Sequence, residues 1–93
     1  MHAVLVQLQI DPSRAEEAIS FLRERAVPMI SKGEGFQSGT WMRSLDGAAT
    51  RSLLLYDSEE RAKAAAARAA EGPPPGAPTT FVSAEVFEVV VQT

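Results

Sequence analysis

The stretch Val4-Leu5-Val6-Gln7-Leu8-Gln9-Ile10-Asp11-Pro12-Ser13 changes its period in the middle, and that change decides the fold. Up to Ile10 the chain alternates as a strand does. Val4, Val6, Leu8 and Ile10 share one face, and Ala3, Leu5, Gln7 and Gln9 share the other. The first set is wholly aliphatic and is assigned to a helical layer. The second is mixed, as a lined cavity or a dimer surface would be. Asp11-Pro12-Ser13 stops the strand, because Pro12 has no N–H for a ladder and suits a first helical turn. Ser13 and Glu16 have capping-box spacing, with Asp11 as a competing N-cap. Beyond them Ala15, Ala18, Ile19, Leu22, Ala26 and Met29 recur three and four residues apart, one apolar stripe of a helix from about Ser13 to Ile30. Pro28 should kink this helix or begin its last irregular turn, and Lys32-Gly33-Glu34-Gly35 should end it.

Outward from that stretch the periods alternate again. Strands are expected around Phe36 to Arg43 and Thr50 to Tyr56, joined about Asp46-Gly47. Whether residue 41 faces 52 or 54, Trp41 and Tyr56 fall on one face, with Gly39, Arg43 and Leu54. Phe36, Thr40, Met42, Leu53 and Leu55 take the other face. Asp57-Ser58-Glu59-Glu60 reads as a second capping box with Asp57 as N-cap, opening an alanine-rich helix to about Glu71. Gly72 caps it, and residues 73–78, rich in proline, make a stiff loop. The last strand, Phe81 to Val91, sets Val82, Ala84, Val86 and Val90 on one face and Phe81, Phe87, Val89 and Val91 on the other.

The order is β-α-β-β-α-β, and the expected fold class is α+β, a ferredoxin-like sandwich with a four-stranded antiparallel sheet. Two helices cover one face of such a sheet, while these strands are apolar on both. The uncovered face needs a partner, which predicts a homodimer.

Residues 1–93 are expected to form one domain. Hydrophobic residues at 45% and charged residues at 23% are ordinary for a water-soluble fold. A net charge of −3 argues against nucleic acid and against an anionic membrane surface, both of which need clustered Lys and Arg. With no Cys, disulfides, thiolate metal sites and thiol nucleophiles are excluded. One His rules out a multi-histidine metal site, and no Asp/Glu cluster has ligand spacing, so neither metal nor cofactor is expected. No basic region precedes the first apolar run and no segment approaches a membrane span, so the expected location is cytoplasmic.

Several segments together resemble the dimeric α/β-barrel superfamily, and within it the small proteins related to antibiotic-biosynthesis monooxygenases. They are His2 to Ile10 with Asp11-Pro12, then Pro28, then Gly35-Phe36 leading into Gly39-Thr40-Trp41, then Leu55-Tyr56-Asp57-Ser58-Glu59-Glu60. The resemblance implies two ferredoxin-like sheets packed as a barrel with the helices outside. The superfamily includes cofactor-free oxygenases, heme-degrading enzymes, isomerases and many members with no known reaction, so the resemblance does not choose among them. The oxygenase members use an Asn, a Trp and a Tyr around a polyketide-like quinone precursor. This chain has Trp41 and Tyr56 and no Asn, with Gln7 or Gln9 as substitute amide donors. The heme-degrading members use an Asn and a His on the second helix. That helix has no His here, so heme degradation is not expected.

Each candidate has a functional and a plain reading. Trp41 and Tyr56 form an aromatic wall for a flat ligand, or fill a dimer interface. Arg43 binds a ligand carboxylate or phenolate, or is a solvated edge-strand charge. Glu85 is a buried carboxylate, or sits at a rim with Glu88 on the opposite face. His2 is a general base, or a fraying terminal residue. Three functions stay open: a dimer binding a small organic molecule, an aromatic one included, between sheet and helices; a cofactor-independent monooxygenase on an electron-rich aromatic; and a non-catalytic interaction module.

Overall fold

A computed structural model describes residues 1–93. Four strands form one antiparallel sheet in the order β2-β3-β1-β4: β1 is His2–Ile10, β2 Phe36–Arg43, β3 Ala49–Tyr56 and β4 Thr79–Glu88. The helices are α1 (Ala15–Phe21), α2 (Val27–Ser31) and α3 (Glu59–Ala70). A 3-10 turn, Pro12–Arg14, leads into α1, and a π-helical turn, Leu22–Ala26, joins α1 to α2. The fold is the α+β ferredoxin-like arrangement expected.

The helix-facing side of the sheet carries Val4, Val6 and Leu8 of β1, as the alternation predicts. Val4, at 0% exposed, sits between Leu54 of β3 and Val86 of β4. Trp41 pairs with Ser52, so Trp41, Leu54 and Tyr56 do share this face. Two bulges overturn other assignments. Gln37 is an extra residue in β2, so Phe36 pairs with Tyr56 and joins the helix side, its ring edge-on to the Tyr56 ring at 5.9 Å and 80°. Val82 is an extra residue in β4, so Phe81 pairs with Leu8 and packs on the core, while Val82 is half exposed. A bulge inverts the parity of everything beyond it, which plain alternation cannot register. Strand β4 also ends at Glu88, and Val90 and Val91 are exposed beyond it.

Local hydrogen bonds settle the helix starts. Asp11 is the first N-cap, its Oδ1 accepting from Ser13 N at 3.0 Å and Ser13 Oγ at 2.7 Å. Those bonds favour the carboxylate and hold the Asp11 carboxyl below its usual range. Arg14 pairs with Glu17 and donates to Gly76 O at 2.7 Å, tying the helix start to the proline-rich loop. In place of the expected Asp57, Ser58 caps α3, its Oγ accepting from Arg61 N at 3.2 Å. Asp57 instead accepts from the Arg61 guanidinium at 2.8 Å. Pro28 follows the π turn, in which Val27 N–H donates to Leu22 O, five residues back. That wider turn relieves the clash between a helical proline ring and the preceding turn, so the helix continues past Pro28.

The two helical layers contact the sheet differently. Ala62, at 0% exposed, and Ala65 bring α3 directly onto β1 and β3. From Ala15 to Ser31 the one fully buried residue is Ala18, and Met29 is 70% exposed. The apolar stripe of this segment stands off the sheet.

Candidate functional site

The stand-off leaves a cavity of about 540 Å³ between the first helical segment, α3 and the sheet. Val6, Leu8 and Leu54 form its floor, Ala18, Leu22 and Ala26 its roof, and Ala64, Ala65 and Ala69 of α3 its flank. The stripe predicted as packing surface is therefore largely a lining. Small side chains at three positions of α3 make room at that side, where larger ones would fill it.

Trp41 and Tyr56 both line the cavity. The Trp41 ring folds back over its own strand. A Cβ on Gly39 would lie 2.6 Å from its Cη2 and 2.8 Å from its Cζ3, so glycine at 39 is what lets the indole lie there, beside Leu54. Tyr56 is 2% exposed. Burial raises its hydroxyl pKa above the usual phenol value, and the Arg68 guanidinium opposes this only in part. The hydroxyl therefore keeps its proton to higher pH than a free phenol does.

Polar groups are few among an apolar lining, as in ligand sites generally. Thr50 and Ser52 present hydroxyls from β3. The Thr50 Oγ1 is buried without a hydrogen-bond partner, in a residue 4% exposed. Arg61, Arg68 and Glu34 also line the cavity. Arg61 is committed to Asp57, whereas Arg68 forms no ion pair. At that edge Gly35, at φ +79°, packs so closely that a Cβ would lie 2.4 Å from Arg61 Cδ and 2.5 Å from Asp57 Oδ1. The Gly35 carbonyl also accepts from Asp57 N at 2.9 Å. Glycine there lets the loop before β2 seat against the Asp57–Arg61 pair.

A smaller cavity of about 300 Å³ adjoins the first. Leu22, Trp41 and Thr50 line both and separate them. Ile19, Arg23 and Val27 enclose the smaller one from the helical side, Met42 and Arg43 from the edge strand. The structure thus places Trp41, Tyr56 and Arg43 around one connected region. Gln7, Gln9 and Glu85 are elsewhere: Gln7 pairs with Arg51 and Ser83, and Glu85 with Leu5, all on the sheet face away from the helices. They line neither cavity. His2 is also apart, its Nε2 3.7 Å from Glu59 Oε1. Arg68, Thr50 and Ser52 were not singled out from the sequence. The signal for the last two was readable, since Thr50-Arg51-Ser52-Leu53-Leu54 sets two hydroxyls on a core-facing alternation.

No family model and no curated protein sequence matches the chain. Solved structures do. The heme-degrader MhuD from Mycobacterium tuberculosis, with two hemes bound in its active site, superposes with a TM-score of 0.76 at 19% identity, over 100% of this chain and 99% of that one. A substituted form of MhuD with two manganese protoporphyrin IX bound per active site gives 0.68 at 18% identity, over 100% and 98%. A monooxygenase from the gene ActVA-Orf6 of Streptomyces coelicolor, in complex with Nanaomycin D, gives 0.59 at 20% identity, over 99% and 91%. At these identities the likeness is one of fold, and it extends over the whole chain: this protein has the ferredoxin-like fold of that heme-degrader and that monooxygenase.

Proposed function

We propose that this protein binds a flat, largely apolar organic molecule in the cavity under its first helical segment. The observation that carries the reading is the cavity itself: about 540 Å³, largely apolar, and lined by one indole, one buried phenol and a few hydroxyls and guanidinium groups. Structures of this fold that hold porphyrins and Nanaomycin D support a ligand of this kind. Trp41 is the only tryptophan and lines the cavity, so its fluorescence reports occupancy directly. Titration with naphthols, anthrones and quinones should quench it saturably in the micromolar range. Linear, unsaturable quenching by all of them would remove the reading.

Cofactor-independent oxygenation is the second reading, supported by Trp41 and Tyr56 facing one cavity and by the fold shared with the ActVA-Orf6 monooxygenase. An electron-rich ring held as its anion gives electrons to O2 directly. One ring carbon loses two hydrogens and gains one oxygen, and the other oxygen leaves as water. The protein would orient the ring, exclude water and donate a hydrogen bond from neutral Tyr56. Oxygen consumption with an anthrone, lost in Tyr56→Phe and Trp41→Ala, tests it.

Heme fits less well. No His lines the cavity or lies on α3, so the side chains offer no histidine to a heme iron. Added hemin should show no histidine-ligated spectrum.

The open sheet face supports a homodimer. It presents Leu5, Met42, Leu53 and Phe87, the last three 40–46% exposed, among Gln7, Gln9 and Glu85. Two copies meeting there would bury these side chains and give Gln7, Gln9 and Glu85 an interfacial role. Light scattering should give twice the 10.0 kDa chain mass, and Leu53→Arg should halve it.

A further inference from the structure

The smaller cavity differs in chemistry from the larger. Two guanidinium groups stand at it, Arg23 from the π turn and Arg43 from the edge strand, and no carboxylate lines it. Neither arginine forms an ion pair within the chain. Its inner end is the wall of Leu22, Trp41 and Thr50 shared with the larger cavity. There the Thr50 hydroxyl is buried without a partner, and an unpaired buried hydroxyl is destabilising unless something supplies its bond. The Trp41 ring leans toward Gly39 and leaves space on the Arg43 side. The π turn begins at Leu22, which sets Leu22 and Arg23 at the junction.

We infer that the smaller cavity is an anion subsite of the larger. The ligand is then a fused or extended aromatic body carrying a carboxylate, or an anion of similar size, on a short arm. The ring system lies in the larger cavity, the arm passes the Trp41–Leu22 wall, and the anion sits between Arg23 and Arg43. The arm's oxygen accepts the Thr50 hydrogen bond on the way. The assignment rests on the reading of the larger cavity as a ligand site and adds the class of ligand. Arg68 is the competing anchor, because it also lacks an acidic partner but stands at the other end of the larger cavity, beside Tyr56.

The test uses the full chain and two probes that differ only at the end of the arm, pyrenebutyrate and pyrenebutanol. Each is titrated against Trp41 fluorescence at low and high salt. The acid should bind on the order of tenfold tighter at low salt, and the advantage should shrink toward unity as salt rises, as for partly exposed charge pairs. Arg23→Met with Arg43→Met should remove the advantage, while the alcohol still binds within a few-fold of its original Kd, which also shows that the variant is folded. Thr50→Val should leave both probes within about two-fold, because their arms are hydrocarbon up to the terminal group, and Arg68→Met should keep the advantage. Equal affinity for the two probes overturns the subsite while the cavity reading stands. So does an advantage that survives the double substitution, or one that disappears with Arg68→Met. If neither probe binds, the subsite and the cavity reading fall together.

Discussion

Two helical layers cover the same face of one sheet and do opposite things. Helix α3 presents alanine to the sheet and comes into contact with it at Ala62, over Val4, while its Ala64, Ala65 and Ala69 flank the cavity. The segment from Pro12 to Ser31 presents larger side chains, Leu22, Met29 and Ile30 among them, and yet encloses a void. Small residues let a backbone approach until the gap closes. Larger ones on a helix interrupted by a π turn hold the backbone away and fill the gap incompletely. Size alone therefore does not predict which helix is core.

The sharpest way to break this comparison is to enlarge one alanine on each side. Ala62→Leu should cost about 3 kcal/mol, since no space exists at a residue 0% exposed. That is a fall in Tm of more than about 10 °C in a chain this small. Ala26→Leu, pointing into the cavity, should change stability by less than about 1 kcal/mol while weakening ligand quenching of Trp41. Equal losses in the two variants would mean that the void is not present in solution.

Gly39→Ala should cost about 1–2 kcal/mol, because the Trp41 ring must leave the space the new methyl takes. It should also shift the Trp41 emission, which a purely backbone effect would not. Ser58→Ala removes the cap of α3 and should cost about 1 kcal/mol, read from urea midpoints at constant slope. No comparable cap residue should be found by scanning the π turn.

The smallest effect concerns Tyr56, where the two layers meet. Its pKa is raised by burial, from a usual value near 10.0. In the folded state it keeps its proton to higher pH than in the unfolded state. Its contribution is therefore complete below the unfolded phenol pKa and declines as pH rises through the folded value. Wild-type stability should fall in that alkaline window more steeply than that of Tyr56→Phe. Identical profiles would show that the hydroxyl is solvated. Because Tyr56 is the only tyrosine, phenolate absorbance gives the same answer independently.

Much of the arrangement was legible beforehand. The change of period at Asp11-Pro12 gave the first strand and helix, and alternation placed Val4, Val6 and Leu8 toward the helices. The pairing of Trp41 with Tyr56 on one face survived either hairpin register considered. Where reading failed, the cause was local. Gln37 and Val82 are bulge residues, and nothing in their side chains announces an inserted position, so Phe36 and Phe81 were assigned to the wrong face. Asp57 and Ser58 both suit an N-cap. In the folded chain Ser58 takes the cap and Asp57 pairs with the Arg61 guanidinium.

By itself, then, the sequence determined the order of elements, the sheet's inward face and the absence of thiol or multi-histidine chemistry, because these follow from periodicity and composition. Only the tertiary structure decided that the first helical segment stands away from the sheet. Only it showed that the face shared by Trp41, Tyr56 and Arg43 borders a cavity, and that Glu85 lies with Gln7 and Gln9 on the other face. A void depends on how far apart two backbones settle, and that distance is set by every side chain between them at once, together with the π turn that accommodates Pro28.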